Sequence, residues 1–86
     1  MYYVYILFSV KFKRTYVGQS EDRVRRLIEH NGGKVRSTKP YRPWEMVYSE
    51  ECRTREDALK LEKWYKTEKG RKKIAQLLRE GGLIDN

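Results

Sequence analysis

Cysteine is nearly absent from this chain of 86 residues. Cys52 stands alone, so no internal disulfide can form, and a lone thiol suits a reducing, cytoplasmic setting. Histidine is as scarce: with His30 as the only one, one thiol and one imidazole cannot build a structural zinc site. Long apolar runs are missing too. The run from Tyr2 to Phe8 is too short to span a bilayer, and no basic region precedes it as in a targeting segment, so no membrane association is expected. There is no GxSxG, no repeat and no low-complexity tract. Gly32-Gly33-Lys34 is not a phosphate-binding P-loop, because that motif needs glycine where Ile28 stands.

Acidic residues are the minority among the charges: 12 Asp and Glu face 20 Lys and Arg, for a net charge of +8. The densest basic part runs from Asn31 to Pro43, with Lys34, Arg36, Lys39 and Arg42 and no acid. A surface of this sign attracts polyanions at long range, nucleic acid first among them. The charged fraction of 37% could suggest disorder, but the apolar residues are clustered and periodic, and seven Tyr and two Trp enlarge what can be buried. One folded domain over residues 1–86 is expected.

Tyr2 to Phe8 is dense in β-branched and aromatic residues, which favours a strand. Alternation puts Tyr2, Val4, Ile6 and Phe8 on one face and Tyr3, Tyr5 and Leu7 on the other. Both faces are apolar, so a central strand is predicted. The polar stretch from Ser9 to Arg14 reads as a hairpin connection, and Thr15 to Gly18 as the returning strand. Ser20 then reads as the cap of a helix over SEDRVRRLIEHN, with Glu21 and Asp22 where its dipole favours acids. The apolar stripe of that helix is read as Val24, Leu27 and Ile28, and Gly32-Gly33 ends it. Trp44 to Glu50 reads as a third strand. Thr54 with Asp57 resembles a capping box ahead of a helix whose inward residues are Ala58, Leu61 and Tyr65. A last helix runs from about Lys69 to Arg79 and stops at Gly81-Gly82. The predicted fold is α+β: a small three-stranded antiparallel sheet flanked by helices, in the order β-β-α-β-α-α.

Four features carry chemistry. Tyr5 and Tyr16 could share a face of adjacent antiparallel strands. Gly18 stands where a strand bends toward a helix, so it either permits the turn or lets a ligand approach the backbone. Arg26 and His30 lie four apart on one strip of the first helix; a solvated pair is the plain alternative. Glu62 shares the inward face of Ala58, Leu61 and Tyr65, where a carboxylate needs an arginine or a metal ion unless it bends out to water.

Taken in order, these residues resemble the GIY-YIG nucleases. Tyr3-Val4-Tyr5 followed by Tyr16-Val17-Gly18 is similar to the paired signature of that family. The resemblance continues through Arg26 and His30, through HNGG, through the stretch from Thr38 to Trp44, and through DALKLE ending in Glu62. It covers nearly the whole chain and is nearest to the small stand-alone bacterial members. Tyr3 takes the place of the first motif's glycine, and Gln19 stands where a DNA-repair endonuclease of the family has a lysine.

The resemblance implies a metal-dependent endonuclease that hydrolyses phosphodiester bonds in DNA, branched or nicked DNA included. Tyr5, Tyr16, Arg26, His30 and Glu62 would be the catalytic set, with Glu62 holding Mg²⁺ or Mn²⁺. Arg26 would grip the phosphate, and Tyr5, Tyr16 or His30 would take the proton of the attacking water. Lys34, Arg36, Lys39 and Arg42 would hold the DNA backbone, with the Thr38 hydroxyl and the Gly18 backbone also open to it. Four phosphate contacts would give a slope of roughly −3 to −4 in log K against log salt. No small-molecule substrate is implied, and no protein partner is identified. A binding module that keeps the fold without cutting remains the alternative, and a small basic partner for an acidic protein is a third.

Overall fold

Apolar side chains on both faces of the first strand dictate that it be covered twice, and the fold is built around it. A computed structural model describes residues 1–85. Strand β1 (Tyr2–Ser9) lies between β2 (Arg14–Ser20) and β3 (Glu45–Cys52), antiparallel to both, so the sheet order is β2-β1-β3. Helices α1 (Arg23–Asn31), α2 (Arg55–Tyr65) and α3 (Glu68–Glu80) complete the expected order, with a short 3-10 turn at Lys39–Tyr41. The α+β architecture and central first strand are those read from the sequence. None of the helices among the described residues is long and apolar enough to cross a membrane.

One face of β1 carries Val4, Ile6 and Phe8. They pack with Val17, Ala58, Tyr65, Ile74 and Leu78 under α2 and α3. The other face carries Tyr5 and Leu7, which cluster with Trp44 and, at the margin, Tyr16, Leu27, Tyr41 and Met46. A register irregularity against β3 falls between Ile6 and Leu7, where Tyr48 pairs with Ile6 and Met46 with Leu7. Val47 is the extra residue, so Val47 and Tyr48 both join the α2/α3 side while Met46 turns to the other. Simple alternation along this strand therefore fails at its middle.

Helix ends follow their caps. Thr54 accepts from the Asp57 N–H at 3.1 Å and starts α2, as expected. Thr67 does the same for α3 through the Gly70 N–H, at 3.2 Å. Gly70 is needed for another reason: a Cβ there would collide with the Trp64 carbonyl and Tyr65 backbone, so only glycine lets α3 cross the end of α2 so closely.

Two expectations for α1 are corrected. Its cap is Asp22, whose carboxylate accepts from the Arg25 N–H at 3.0 Å, while Ser20 forms a local turn with Asp22. Of the inward face expected as Val24, Leu27 and Ile28, Leu27 alone turns inward: Val24 is 65% and Ile28 66% exposed. At 100° per residue, Arg23, Arg26, Leu27 and His30 share one face, and this is the face turned to the sheet. Fully buried His30, tied by hydrogen bonds on both ring nitrogens, sets the helix rotation in place of two aliphatic side chains.

Candidate active site

The site grows from one register fact. Tyr5 on β1 sits directly opposite Gly18 on β2, and Leu7 opposite Tyr16, so Tyr5, Gly18 and Tyr16 share a face. A Cβ on Gly18 would lie 2.6 Å from the Tyr5 hydroxyl oxygen and 2.9 Å from the Tyr16 ring. Gly18 is thus not a positive-φ turn; it is the gap through which the Tyr5 phenol lies across the neighbouring strand. The Tyr5 and Tyr16 rings are 6.3 Å apart, and the His30 ring lies 5.9 Å from the first and 4.9 Å from the second.

Tyr5 and His30 are both fully buried, and their polar atoms are paired. Tyr5 Oη is 3.0 Å from His30 Nε2, and His30 Nδ1 is 2.8 Å from Thr38 Oγ1. Thr38 Oγ1 donates its one proton to the Val35 carbonyl at 3.3 Å. Toward His30 it can then only accept, so the imidazole proton sits on Nδ1 and Nε2 accepts from the Tyr5 O–H. Burial, with Arg26 nearby, pushes the His30 pKa down, so the ring is neutral near pH 7.

Burial likewise pushes the Tyr5 phenol up; Arg26 opposes that shift, while Tyr16 and Glu62 add to it. Guanidinium and carboxylate both act on this one hydroxyl. Arg26 also donates from Nη1 to Glu29 Oε1 at 2.8 Å and stays partly open to solvent. Glu62 does not stand free in water: its side chain is 21% exposed and it pairs with Lys66 at 3.1 Å.

Of the five residues expected to be catalytic, Tyr5 and Tyr16 lie on the sheet face covered by α1, Arg26 and His30 stand on α1 itself, and Glu62 stands on α2, its charge adding to the rise in the Tyr5 pKa. The basic loop divides. Lys34, Arg36, Lys39 and Arg42 are exposed, whereas Thr38 is buried with its hydroxyl held by His30 and Val35, so it presents nothing to a phosphate. Arg42 is partly committed as well: Nε donates to the Lys39 carbonyl at 2.9 Å, and its guanidinium covers Gly33.

The loop is pinned by residues that the sequence singled out only through short motifs. The Asn31 side-chain amide donates to the Trp44 carbonyl at 3.0 Å and accepts from the Trp44 N–H at 2.7 Å. The Trp44 indole donates to the Thr38 carbonyl at 2.9 Å. Lys66 and Arg71 were missed: both line a cleft of about 280 Å³ that includes Tyr16. A helical-spacing search for cations four residues from Glu62 finds Lys66; nothing in the sequence indicates Arg71.

Among the described residues no group of three His, Cys, Asp or Glu side chains could enclose a metal ion. What α2 offers is one partly covered carboxylate, Glu62, paired with Lys66. That donor set fits Mg²⁺ or Mn²⁺, which keep several waters and borrow oxygens from a substrate phosphate, and it does not fit a closed protein cage.

The model of the GIY-YIG catalytic domain matches residues 1–75. A UPF0213 protein of Staphylococcus saprophyticus is 38% identical over 81 residues, covering 93% of this chain and 96% of that protein. UPF0213 proteins from two strains of Staphylococcus epidermidis are 40% identical over 67 residues, covering 77% of the chain and 80% of each. No solved structure matches.

Proposed function

The chain belongs to the GIY-YIG family, whose members are generally nucleases, and from that premise we propose that it is a metal-dependent endonuclease hydrolysing phosphodiester bonds in DNA. The observation that supports this most is the hydrogen-bonded chain from Tyr5 through His30 and Thr38 to the Val35 carbonyl, in which each proton has one place.

In this reading Arg26 binds a non-bridging oxygen of the phosphate beside Tyr5. Glu62 would hold Mg²⁺ or Mn²⁺, and the ion would supply positive charge to the phosphate. The attacking water gives its proton to Tyr5 Oη as the phenol proton passes to His30 Nε2. An isolated phenol with pKa ~10 is a poor base at neutrality, and linkage to a neutral imidazole removes the need for a standing phenolate. Charging buried His30 is costly, and the phosphate held by Arg26 offsets part of that cost. The exposed Lys34, Arg36, Lys39 and Arg42 position the DNA backbone and read no bases.

Cutting of labelled DNA by the pure chain, in Mg²⁺, Mn²⁺ or EDTA, tests this beside Glu62→Gln. Cleavage should need the metal and fall in Glu62→Gln on the order of a hundredfold or more, the scale of losing one charge-stabilising group. Cleavage untouched by EDTA and by Glu62→Gln would sink the mechanism. DNA binding with no cutting by the wild type would leave only the non-catalytic module.

A further inference from the structure

We propose that the tip of the β1–β2 hairpin, together with Tyr41, is a stacking platform for an unpaired base of the DNA, with cations around it for the flanking phosphates. The proposal rests on the reading that this chain binds DNA, and it names the substrate feature that the basic loop alone does not select.

Hairpin tips in water are ordinarily polar, because nothing there repays an apolar side chain. This one carries Val10 at 44% and Phe12 at 42% exposure. The turn does not leave Phe12 loose: its N–H donates to buried Ser9 Oγ at 3.3 Å, and Lys13 closes the loop at φ 55. The Phe12 ring meets Tyr41 edge to face, with centres 5.6 Å apart and planes at 76°. The Arg14 guanidinium lies 4.1 Å from the centre of the Tyr41 ring, and the Lys11 ammonium 5.4 Å from that of Phe12.

Aromatic faces interleaved with cations are what single-stranded nucleic acid is bound by. Each base has a π-face to stack, and each phosphate needs a positive neighbour. The patch also continues into the site. Arg14 precedes Tyr16 by two residues on β2, so both point to the same face of the sheet, and Tyr41 packs in the cluster that holds Tyr5 and Trp44. A strand with its phosphate at Arg26 can therefore run toward the hairpin, where paired DNA has no free base face to offer. This favours substrates with an unpaired segment beside the cut, as at a branch, flap or overhang.

The test is binding in EDTA, read by fluorescence anisotropy, so that no cleavage is needed. Three probes share one duplex: blunt, with a three-nucleotide thymidine overhang, and with a three-nucleotide abasic overhang that keeps the phosphates but has no bases. The wild type should bind the thymidine overhang roughly five- to a hundredfold more tightly than the abasic one, the range for stacking a base on an aromatic ring. Phe12→Ala and Phe12→Leu should lose that difference while binding the blunt duplex as before, and Phe12→Tyr should keep it. Equal affinity of the wild type for both overhangs overturns the proposal, as does a difference that survives Phe12→Ala. A chain that stacks but never cuts would thus fail the nuclease reading alone, and one that cuts without telling the overhangs apart would fail this one alone.

Discussion

Two buried tyrosines on opposite faces of the sheet show what each face is for. Tyr5 is fully buried under α1, with its hydroxyl bonded to His30 and acted on by Arg26 and Glu62. Tyr65 is 1% exposed in the cluster under α2 and α3, and its hydroxyl has no hydrogen-bond partner among the described residues. Burial raises the pKa of both phenols, but only on the Tyr5 side does a cation oppose the rise in force, through Arg26. The same side chain is a space-filling ring without a hydroxyl partner on one face and a hydrogen-bonded phenol on the other. Stability is built mainly on the face of Val4, Ile6, Phe8, Ile74 and Leu78, which leaves the other face free to bury polar groups at the cost of pairing each one.

The same substitution at both positions should give opposite results, and this is the largest effect expected. Tyr5→Phe deletes the proposed proton carrier and leaves His30 Nε2 unpaired. Cleavage should fall by about 10² to 10⁴, as for loss of a general base, with stability down by about 1–3 kcal/mol. Tyr65→Phe removes a hydroxyl that is buried without a partner, so stability should hold or rise by up to about 1 kcal/mol. Its activity should be unchanged. Urea unfolding and single-turnover cleavage on both variants check the pair. Equal losses in activity would mean that the two faces are not divided as described.

Much of this division was legible in the sequence because β1 alternates cleanly. Tyr2 to Phe8 places its residues by parity alone, and the helix spacing of Ala58, Leu61 and Tyr65 does the same for α2. Where the reading failed, a tertiary contact overrode a local pattern. Val24 and Ile28 look like a core stripe, yet the rotation of α1 is set by His30, whose partners lie twenty-five residues before it and eight after it. Gly18 looks like a turn glycine until the strand register puts Tyr5 across it. Thr38 looks like a phosphate contact in a basic loop; in the fold its hydroxyl points inward to His30. Periodicity reports which way an isolated element prefers to face, and it is silent on a buried hydrogen bond formed from another element.

A smaller effect should come from Thr38, the outer end of the polar chain. Thr38→Val keeps the shape but leaves the His30 Nδ1–H without an acceptor in the interior, which should cost about 1–3 kcal/mol. It also frees the choice of tautomer, so cleavage should slow, and Thr38→Ser should restore both. The pH dependence has a fixed sign. In the unfolded chain His30 takes up its proton around the ordinary value of 6.5, whereas the folded protein resists charging it, so the unfolded state binds more protons. Stability is therefore full above pH 6.5 and should fall as the pH drops below it, until the lowered folded value is reached; His30→Gln should remove this contribution. Cleavage should lose activity over the same acid window, because an imidazolium cannot accept from Tyr5. A rate profile flat from pH 7 to 5 in the wild type would detach His30 from the reaction.

The smallest effect concerns Lys66, four residues after Glu62 and paired with it at 3.1 Å. An ion entering at Glu62 must compete with that ammonium. Lys66 is 58% exposed, so the pair is worth only about 0.2–1 kcal/mol, and the competition is mild. In Lys66→Met the metal concentration for half-maximal cleavage should fall by roughly up to fivefold, the factor equivalent to that energy. The rate at saturating metal should stay the same. Raising the salt should bring wild type and variant together, because screening weakens the exposed pair without touching the carboxylate itself. A different result would be as informative: a lower saturated rate, with the metal requirement unchanged, would mean that the ammonium leaves Glu62 for the DNA. Lys66 would then supply, from α2, the positive charge that Gln19 does not.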